Sequence, residues 1–256
     1  MKALILASGK GTRLMPLTRR RNKGMLPVAG KPVLERIIEH LAQNGLKEIV
    51  MAVGVKKKQV MNYFQDGARL GVQIQYSESK EAQGTAGEIA RARDLELISG
   101  TFLLYYGDTL TGISLKAMTA VHRHYNALIT TPTIRGIPLE TSLIETDFDG
   151  RITRFSEKPL LMEKANIPVF VVDKSVLRHA NIAKGKDFSS DVVSQLVALG
   201  RVFEYDEERH YPFVDYSRAK LAANGNYHYD VGTLKRYEDI CRAFEKGYAG
   251  AVRVIK

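Results

Sequence analysis

Short apolar runs alternate with segments of helical periodicity along the first half of the chain. The apolar runs predict strands, and they cover Leu4 to Leu6, Glu48 to Val53, Val72 to Tyr76 and Phe102 to Tyr106. Apolar positions that recur every three or four residues predict helices between them, at Pro32 to Gln43, Gln59 to Phe64, Ala86 to Leu95 and Ser114 to His124. Strands that alternate with helices indicate an α/β fold with a mainly parallel central sheet.

The pattern changes after a strand at Ala127 to Thr131. Ser142 to Thr146 and Arg151 to Phe155 are short alternating segments, and Asp149-Gly150 between them is typical of a hairpin turn. Further strands are predicted at Val169 to Val172 and Val202 to Tyr205, and helices at Ser190 to Leu199 and Lys235 to Lys246. The second half is therefore predicted to be α+β.

The first strand runs into a loop that contains Gly9, Gly11, Thr12 and Arg13. Glycines let a backbone approach an anion, consecutive amides can form an anion-binding concavity, and arginine adds a positive fork. A Walker A loop is excluded because Gly11 is followed directly by Thr12, with no lysine between them. A dinucleotide fingerprint is excluded because Leu14 stands at the third glycine position. The loop is predicted to hold a triphosphate, and the alternative is an ordinary strand-to-helix turn.

Two aspartates are candidate metal ligands. Asp108 follows the predicted strand that ends at Tyr106, so it should lie at the same sheet edge as the glycine loop, and Asp230 precedes the last predicted helix. Mg²⁺ favours one or two carboxylates together with phosphate oxygens. A turn or helix-capping aspartate is the alternative at Asp108.

Composition and charge narrow the class of protein. The 256 residues are 45% hydrophobic and 26% charged, as in soluble globular proteins. No apolar run approaches the roughly 20 residues of a membrane helix, and the N-terminal run is too short for a signal peptide. Because Cys241 is the single cysteine of the sequence, an internal disulfide is excluded. We therefore expect a cytoplasmic protein without a membrane partner.

The formal charge of +10 indicates a polyanionic partner, either nucleic acid or a phosphorylated metabolite. The densest basic run is Arg19 to Arg21, which is equally well explained as a solvated surface. No nucleic-acid-binding motif and no aromatic interleaving accompany it. The histidines are not spaced as the ligands of one metal ion would be, and the sequence shows no recognisable Ser-His-Asp arrangement.

Seven motifs in order resemble the sugar-phosphate nucleotidylyltransferases, or NDP-sugar pyrophosphorylases. They are the glycine loop, Asn22-Lys23, Lys31-Pro32, Gly84-Thr85-Ala86-Gly87, Gly107-Asp108, Glu157-Lys158-Pro159 and Asp230-Val231-Gly232-Thr233. The resemblance implies a Rossmann-like domain that joins a nucleoside triphosphate and a sugar 1-phosphate to give an NDP-sugar and pyrophosphate. It implies one domain over residues 1–256, with a nucleotide-binding half at 1–135 and a sugar-phosphate-binding half at 136–256.

The resemblance also implies roles for individual residues. Arg13 would act on the departing pyrophosphate and Lys23 on the α-phosphate, while Asp108 and Asp230 would share Mg²⁺. Glu157 would hold sugar hydroxyls and Lys158 the sugar phosphate. The implied nucleotide-binding positions are Ala7, Ser8, Gly9, Gly11, Thr12, Gly84 and Thr85. Phosphoryl transfer depends mainly on positioning and electrostatics, so no protein nucleophile is required.

Several positions depart from the family pattern. Asn22 stands where proline is frequent, and Ser79 stands where the uridylyl and thymidylyl branches place a base-reading glutamine. Gln83 to Gly87 is more similar to the guanylyl and adenylyl branches, which favours GTP with mannose 1-phosphate or a related sugar. Ser142 and Pro168 stand at two positions of the sugar pocket where the family usually has glycine. The identity of the acceptor sugar is therefore left open. No hexapeptide repeat of a C-terminal β-helix is present.

Four alternatives remain at this point. The first is a uridylyl- or thymidylyltransferase acting on glucose 1-phosphate, and the second uses a phosphorylated alcohol as acceptor. The third is a catalytically silent NDP-sugar-binding regulatory protein, and the fourth, supported by charge alone, is a nucleic-acid-binding module. The sequence also leaves open whether the protein forms a homo-oligomer.

Overall fold

The computed structural model describes residues 1–81, 83–139, 141–179, 181–182, 187–206 and 228–245. The described strands are β1 (Ala3–Ala7), β2 (Pro27–Val28), β3 (Lys31–Pro32), β4 (Glu48–Val53), β5 (Gln73–Glu78), β6 (Phe102–Tyr106), β7 (Thr109–Thr111), β8 (Ile129–Ile134), β9 (Ile137–Pro138), β10 (Leu143–Thr146), β11 (Ile152–Ser156), β12 (Leu160–Leu161), β13 (Ala165–Asn166), β14 (Val169–Val172), β15 (Val202–Tyr205) and β16 (His228–Asp230). The described α-helices are α1 (Val33–Gln43), α2 (Lys57–Phe64), α3 (Gly84–Asp94), α4 (Leu115–His124), α5 (Ser194–Val197) and α6 (Leu234–Glu245).

Eight strands form the central sheet in the order β13-β8-β14-β6-β1-β4-β5, with β15 paired to β8. The pairs β1–β4, β1–β6, β4–β5 and β8–β15 are parallel, whereas β14 runs antiparallel to both β6 and β8. The carboxyl ends of β1, β4, β5, β6 and β8 therefore meet at one edge of the sheet. The predicted mainly parallel α/β fold is confirmed.

Both faces of the sheet are covered, which is why its strands are apolar on both sides. Alternate residues of β1 separate into two buried clusters: Ile5 packs in the cluster that includes α1, α2, α4 and α6, and Leu4 packs in the cluster that includes α3. α1 illustrates the sequence rule, because Leu34, Ile38 and Leu41 are fully buried at helical spacing. None of the described helices is long and apolar enough to cross a bilayer.

Most predicted elements are present with small shifts at their ends. The predicted helix at Ser190 to Leu199 is a π-helical turn at Ser189–Val193 followed by α5, so its first turn is wider than expected. Residue 246, at which the last predicted helix ends, lies outside the described residues. The sequence patterns gave no sign of β7 and β16, which pair with each other outside the main sheet.

Short ribbons extend the second half of the chain beyond the carboxyl end of β8. β10 and β11 form the predicted antiparallel hairpin, in which Ile144 lies opposite Phe155, and β12 pairs with β9. All residues of β10 are exposed, and both Ile144 and Phe155 are more than half exposed. The hairpin thus projects from the sheet without a described layer over it.

Candidate functional site

The glycine loop begins where β1 leaves the core at Ala7. Gly11 has φ +66°, and a Cβ there would lie 3.0 Å from the Thr18 side chain and 3.1 Å from Cβ of Lys23. The Thr18 hydroxyl donates a hydrogen bond of 2.7 Å to the Gly11 carbonyl and holds the turn closed. Gly9, by contrast, has open space where a Cβ would stand. The loop is therefore fixed at Gly11 and open to a ligand at Gly9.

Lys23 begins a single 3₁₀ turn, Lys23–Met25, directly beneath this loop. Its ammonium group forms an ion pair with the Asp108 carboxylate, and both side chains are largely buried. Gly24 is required by the packing under the turn, because a Cβ there would lie 2.5 Å from Cγ of Leu34. Lys23 is thus held against the carboxyl edge of the sheet.

Asn22 ties the lysine turn to two other loops. Its Oδ1 caps the turn by accepting a 2.9 Å hydrogen bond from the Gly24 amide, and its Nδ2 donates to the carbonyls of Val55 at 2.8 Å and Ala7 at 3.4 Å. The Asn22 amide donates to Oε1 of Gln59 at 2.8 Å. Only 3% of Asn22 is exposed, so it positions Lys23 from within the protein.

Asp108 follows β6 at the same edge. The Gly107 amide donates a 2.9 Å hydrogen bond to the Leu6 carbonyl, and a Cβ at Gly107 would lie 2.6 Å from that oxygen. The chain can therefore stay this close to β1 only with glycine at this position. The carboxylate that comes next is brought beside the glycine loop.

Asp230 reaches Asp108 through the pairing of β16 with β7. Asp230 lies opposite Thr109 in this ribbon, and the Val231 amide donates a 2.8 Å hydrogen bond to the Asp108 carbonyl. Nη1 of Arg236 contacts Oδ2 of Asp230 at 2.8 Å. Burial and the nearby Asp108 charge raise the pKa of Asp230 above its ordinary value despite this partner. The two carboxylates therefore interact across one rim.

The glycine loop, Lys23 and Asp108 line a cavity of about 200 Å³, which we call the edge cavity, whereas Asp230 is not among its lining residues. Its lining residues are Leu6, Ala7, Gly9, Gly11, Thr12, Arg13, Lys23, Gly24, Gly107, Asp108 and Gly232. The volume is below the roughly 300 Å³ at which small-molecule pockets usually begin. It suits a phosphate chain rather than a whole nucleotide.

Other predicted residues lie outside the lining of this cavity. Ser8 is buried in the loop behind it. Gly84 and Thr85 form the first turn of α3, where the Thr85 hydroxyl accepts a 2.6 Å hydrogen bond from the Phe188 amide and lies 3.2 Å from a carboxylate oxygen of Asp187. The Thr85 side chain is thus engaged in packing α3.

Glu157 and Lys158 are exposed at the bend after β11, and Lys158 has φ +45°. They lie between β11 and β12, and β12 pairs with β9, the strand that follows β8, but they do not line the edge cavity. The structure therefore brings together the phosphate-loop, lysine and aspartate predictions, and it leaves the sugar predictions on the exposed ribbons.

A buried carboxylate on α3 was not identified from the sequence. Glu88 is 1% exposed, and its Oε1 accepts a 2.9 Å hydrogen bond from the hydroxyl of Ser79, while Oε2 has no protein partner within the described part of the chain. A Cβ at Gly54 would lie 3.1 Å from Oγ of Ser79 and 3.0 Å from Cβ of Ser8. The signal in the sequence was a glutamate on the apolar face of a predicted helix.

His228 lies on β16, next to the carboxylate rim. Burial and the positive Arg236 lower the pKa of His228 to about 4, although Asp108 acts in the opposite direction. His228 is therefore neutral near pH 7. The described residues include no group of three or more His, Cys, Asp or Glu side chains arranged to hold a metal ion.

Residues 2–247 match the family model of the nucleotidyl transferases. The chain belongs to the nucleotidyl transferase family. It is 32% identical over 221 residues to a UTP–glucose-1-phosphate uridylyltransferase of Synechocystis, covering 79% of this chain and 57% of that protein. It is also 32% identical over 203 residues to a mannose-1-phosphate guanylyltransferase of Mycobacterium tuberculosis, covering 77% and 56%. The chain thus spans little more than half the length of these relatives.

Solved structures share the fold of this nucleotidyl transferase domain. HddC from Yersinia pseudotuberculosis superimposes with a TM-score of 0.66 at 19% identity, covering 95% of this chain and 99% of that one. The same protein complexed with GMP-PN gives a TM-score of 0.64 at 20% identity and the same coverage. The resemblance stated from the motifs is confirmed at the level of family and fold.

Proposed function

We propose that this nucleotidyl transferase joins a nucleoside triphosphate to a sugar 1-phosphate and releases pyrophosphate. The observation that carries the proposal is the meeting of Lys23, Asp108 and Asp230 at one rim, directly beside an open glycine loop. Relatives that act on glucose 1-phosphate and on mannose 1-phosphate both support this reaction class.

In this reaction an oxygen of the sugar 1-phosphate attacks the α-phosphorus of the triphosphate. A new phosphorus–oxygen bond joins sugar phosphate and nucleotide, the bond between the α- and β-phosphates breaks, and pyrophosphate leaves with the electron pair. Gly9 and Gly11 accommodate the phosphate chain in the edge cavity, and Arg13 neutralises the departing pyrophosphate. Lys23 places its positive charge at the α-phosphate.

We expect Mg²⁺ as cofactor, held by Asp108 and Asp230. The fit rests on their donor chemistry, since two carboxylates plus substrate phosphate oxygens are a usual ligand set for this ion. It also rests on the raised pKa of Asp230, because the repulsion from Asp108 that contributes to it would be relieved by a cation. When bound, Mg²⁺ supplies charge neutralisation at the phosphates. Lys23 forms an ion pair with Asp108 in this structure. With a cation at Asp108, the Lys23 ammonium group would be free to contact the α-phosphate.

GTP with mannose 1-phosphate or a related sugar is the substrate pair that we favour. The similarity of Gln83 to Gly87 to the guanylyl branch supports it, as does the relative that is a mannose-1-phosphate guanylyltransferase. The uridylyltransferase relative keeps UTP or dTTP with glucose 1-phosphate as the second candidate. Glu157 and Lys158 are the proposed sugar-phosphate ligands, on a ribbon that must approach the edge cavity to act.

Pyrophosphate release from a matrix of five NTPs and a panel of sugar 1-phosphates tests this function. We expect release with Mg²⁺, highest with GTP and mannose 1-phosphate, and none after chelation. Lys23→Ala should abolish it, whereas Lys116→Ala, which removes an exposed lysine on α4, should not. Absence of release from every pair would contradict an enzymatic function and favour a silent NDP-sugar-binding protein, which equilibrium dialysis with GDP-mannose and UDP-glucose would reveal.

A further inference from the structure

The Glu88 side chain is an acidic group that the protein buries without fully pairing it. Glu88 is 1% exposed, and its Oε1 accepts a 2.9 Å hydrogen bond from the Ser79 hydroxyl. Its Oε2 is also buried and has no hydrogen-bond partner among the described residues. Leaving a buried carboxylate oxygen unpaired is costly, and no step of the proposed reaction uses this group. A hydrogen-bond donor from a ligand is therefore expected at Oε2.

The Glu88 side chain is directed to the carboxyl edge of the sheet. Side chains of an α-helix tilt toward its N-terminus, and α3 begins a few residues after β5 ends. The hydrogen bond to Ser79 agrees with this direction, because Ser79 is the residue directly after β5. Gly84 lies one turn before Glu88 on the same face of α3, and it is exposed and has no side chain. No side chain of α3 thus stands between the carboxylate and the edge on this face.

Gly54 lets the Ser79 hydroxyl lie next to the glycine loop. It directly follows β4, and a Cβ there would lie 3.1 Å from Oγ of Ser79 and 3.0 Å from Cβ of Ser8. Ser8 is the first residue of the glycine loop after β1. Ser8, Gly54 and Ser79 therefore follow three neighbouring parallel strands, β1, β4 and β5. Glu88 is bonded to the last of these residues.

The two sides of the glycine loop differ in the groups that they offer to a ligand. On the β6 side are Lys23 and Asp108, and β8, which precedes the ribbons with Glu157 and Lys158, also lies on that side of β1. The edge cavity is too small for a whole nucleotide, so the base of a bound triphosphate lies outside it. The β4–β5 side is the other direction along the sheet edge, and its buried carboxylate is Glu88.

A carboxylate selects among bases by the donors that they present. Its two oxygens only accept hydrogen bonds. Guanine presents two neighbouring donors on its Watson–Crick edge, N1–H and the N2 amino group. Uracil and thymine place N3–H between two carbonyl oxygens, whereas adenine and cytosine place a ring acceptor beside their amino group. Among the common bases, guanine alone donates to both oxygens of one carboxylate.

We propose that Glu88 reads the base of the nucleoside triphosphate and selects guanine. Oε2 accepts from one of the two guanine donors, and Oε1 accepts from the other with its remaining lone pair while the Ser79 hydroxyl holds it in place. Other bases bring an acceptor against the carboxylate and are rejected. Because Oε2 is covered in this structure, the exposed turn at Gln83 and Gly84 opens to admit the base. The inference rests on the proposed function, since it concerns the base of that same nucleotide.

The binding test compares GTP with ITP, which differs from GTP only in lacking the amino group at C2. Equilibrium dialysis with Mg²⁺ gives the affinity of each, and of UTP. We expect the unaltered protein to bind GTP at least about tenfold more tightly than ITP, as one hydrogen bond to a charged group is usually worth. In Glu88→Gln, which keeps a single acceptor, this preference should fall to about threefold or less. Its affinity for UTP should not fall, because the new amide can donate to a uracil carbonyl.

The matched control is Glu48→Gln, which makes the same chemical change at the exposed amino end of β4. It should bind all three nucleotides like the unaltered protein. Circular dichroism checks folding, and Glu88→Asp, which keeps the charge but withdraws the carboxylate by one methylene, replaces Glu88→Gln if that variant does not fold.

Three binding results would overturn the proposal. They are equal affinity of the unaltered protein for GTP and ITP, a full GTP preference in the Glu88 variant, and equal losses of affinity for GTP and UTP in that variant. The last result would show that Glu88 only supports the packing of α3.

Pyrophosphate release extends the test to the reaction. At saturating sugar 1-phosphate, we expect Glu88→Gln to lower the ratio of kcat/KM for GTP to kcat/KM for UTP at least about tenfold, mainly through KM. An unchanged ratio would overturn the role of Glu88 in base selection. If no substrate pair gives pyrophosphate, the proposed function fails, and the contrast between GTP and ITP binding still decides whether Glu88 reads the base. Absence of any nucleotide binding would overturn both.

Discussion

The glycine loop follows the carboxyl end of β1, and the β10–β11 hairpin follows β8 and β9. The two regions differ in how closely they are packed against the rest of the protein. Around the edge cavity, each loop is hydrogen-bonded to the end of a buried strand: Gly107 to Leu6, and Asn22 to Ala7. In the hairpin, Ile144 and Phe155 face each other and remain more than half exposed.

This difference suits a protein in which one region carries out the chemistry and another recognises the acceptor. In the proposed reaction the triphosphate is activated by charges that are already in place, and the loops that carry Lys23 and Asp108 are fixed to the core. Recognising an acceptor sugar requires groups that can differ among relatives, and exposed ribbons tolerate such changes. Glu157 and Lys158 on the ribbons are accordingly expected to influence acceptor choice more than the chemistry.

The largest effect is expected from Asp108→Asn, which keeps the shape of the side chain and removes its charge. We expect kcat to fall by about 10²–10³, the usual consequence of losing one preorganised charge in a transition state. The control is Asp94→Asn at the exposed end of α3, which should leave turnover intact. Full turnover by Asp108→Asn, measured as pyrophosphate release, would mean that the carboxylate rim is not the reaction centre.

Gly107→Ala tests whether close approach to β1 holds the edge cavity together. Because the new Cβ would stand 2.6 Å from the Leu6 carbonyl oxygen, we expect a loss of about 3 kcal/mol in the free energy of unfolding, at the upper end of overpacking effects. Gly100→Ala meets no atom within 4 Å, so it serves as the matched control. Urea unfolding of both variants makes the comparison, and equal stability would contradict the packing argument.

Asn22→Ala removes the cap of the lysine turn. The buried Gly24 amide would lose its acceptor, so we expect a loss of about 2 kcal/mol in the free energy of unfolding, together with a lower kcat because Lys23 is no longer positioned. Asn22→Asp keeps the acceptor and should recover part of both. Asn62→Ala on the exposed side of α2 is the control, and unaltered kcat in Asn22→Ala would separate Asn22 from the placement of Lys23.

The smallest effect is expected in the hairpin. Ile144→Thr should change the free energy of unfolding by no more than about 0.5 kcal/mol, as surface substitutions usually do. The same substitution at fully buried Ile5 should cost about 2 kcal/mol or more, because a hydroxyl is buried without an arranged partner. Equal losses at Ile5 and Ile144 in thermal unfolding would show that a layer covers the hairpin.

The local part of the candidate site was predictable. The apolar run of β1 followed by Gly9, Gly11 and Arg13 predicted the loop, and the run of β6 followed by Gly107 predicted where Asp108 would lie. These features depend on periodicity and on the rule that parallel strands end at one edge, so they are determined by residues close together in the sequence. The roles assigned to these residues stay predictions.

The tertiary structure decided which distant residues meet. It brought Asp230 beside Asp108 through the β16–β7 pairing, gave Asn22 its capping role, and placed Thr85 in packing contacts rather than in the edge cavity. These outcomes depend on contacts across tens to hundreds of residues, and no periodic pattern encodes the register of such contacts. The sequence by itself determined the strands, the loop and the kinds of charge, because burial imposes a local repeat. Their meeting around one cavity was decided by long-range packing.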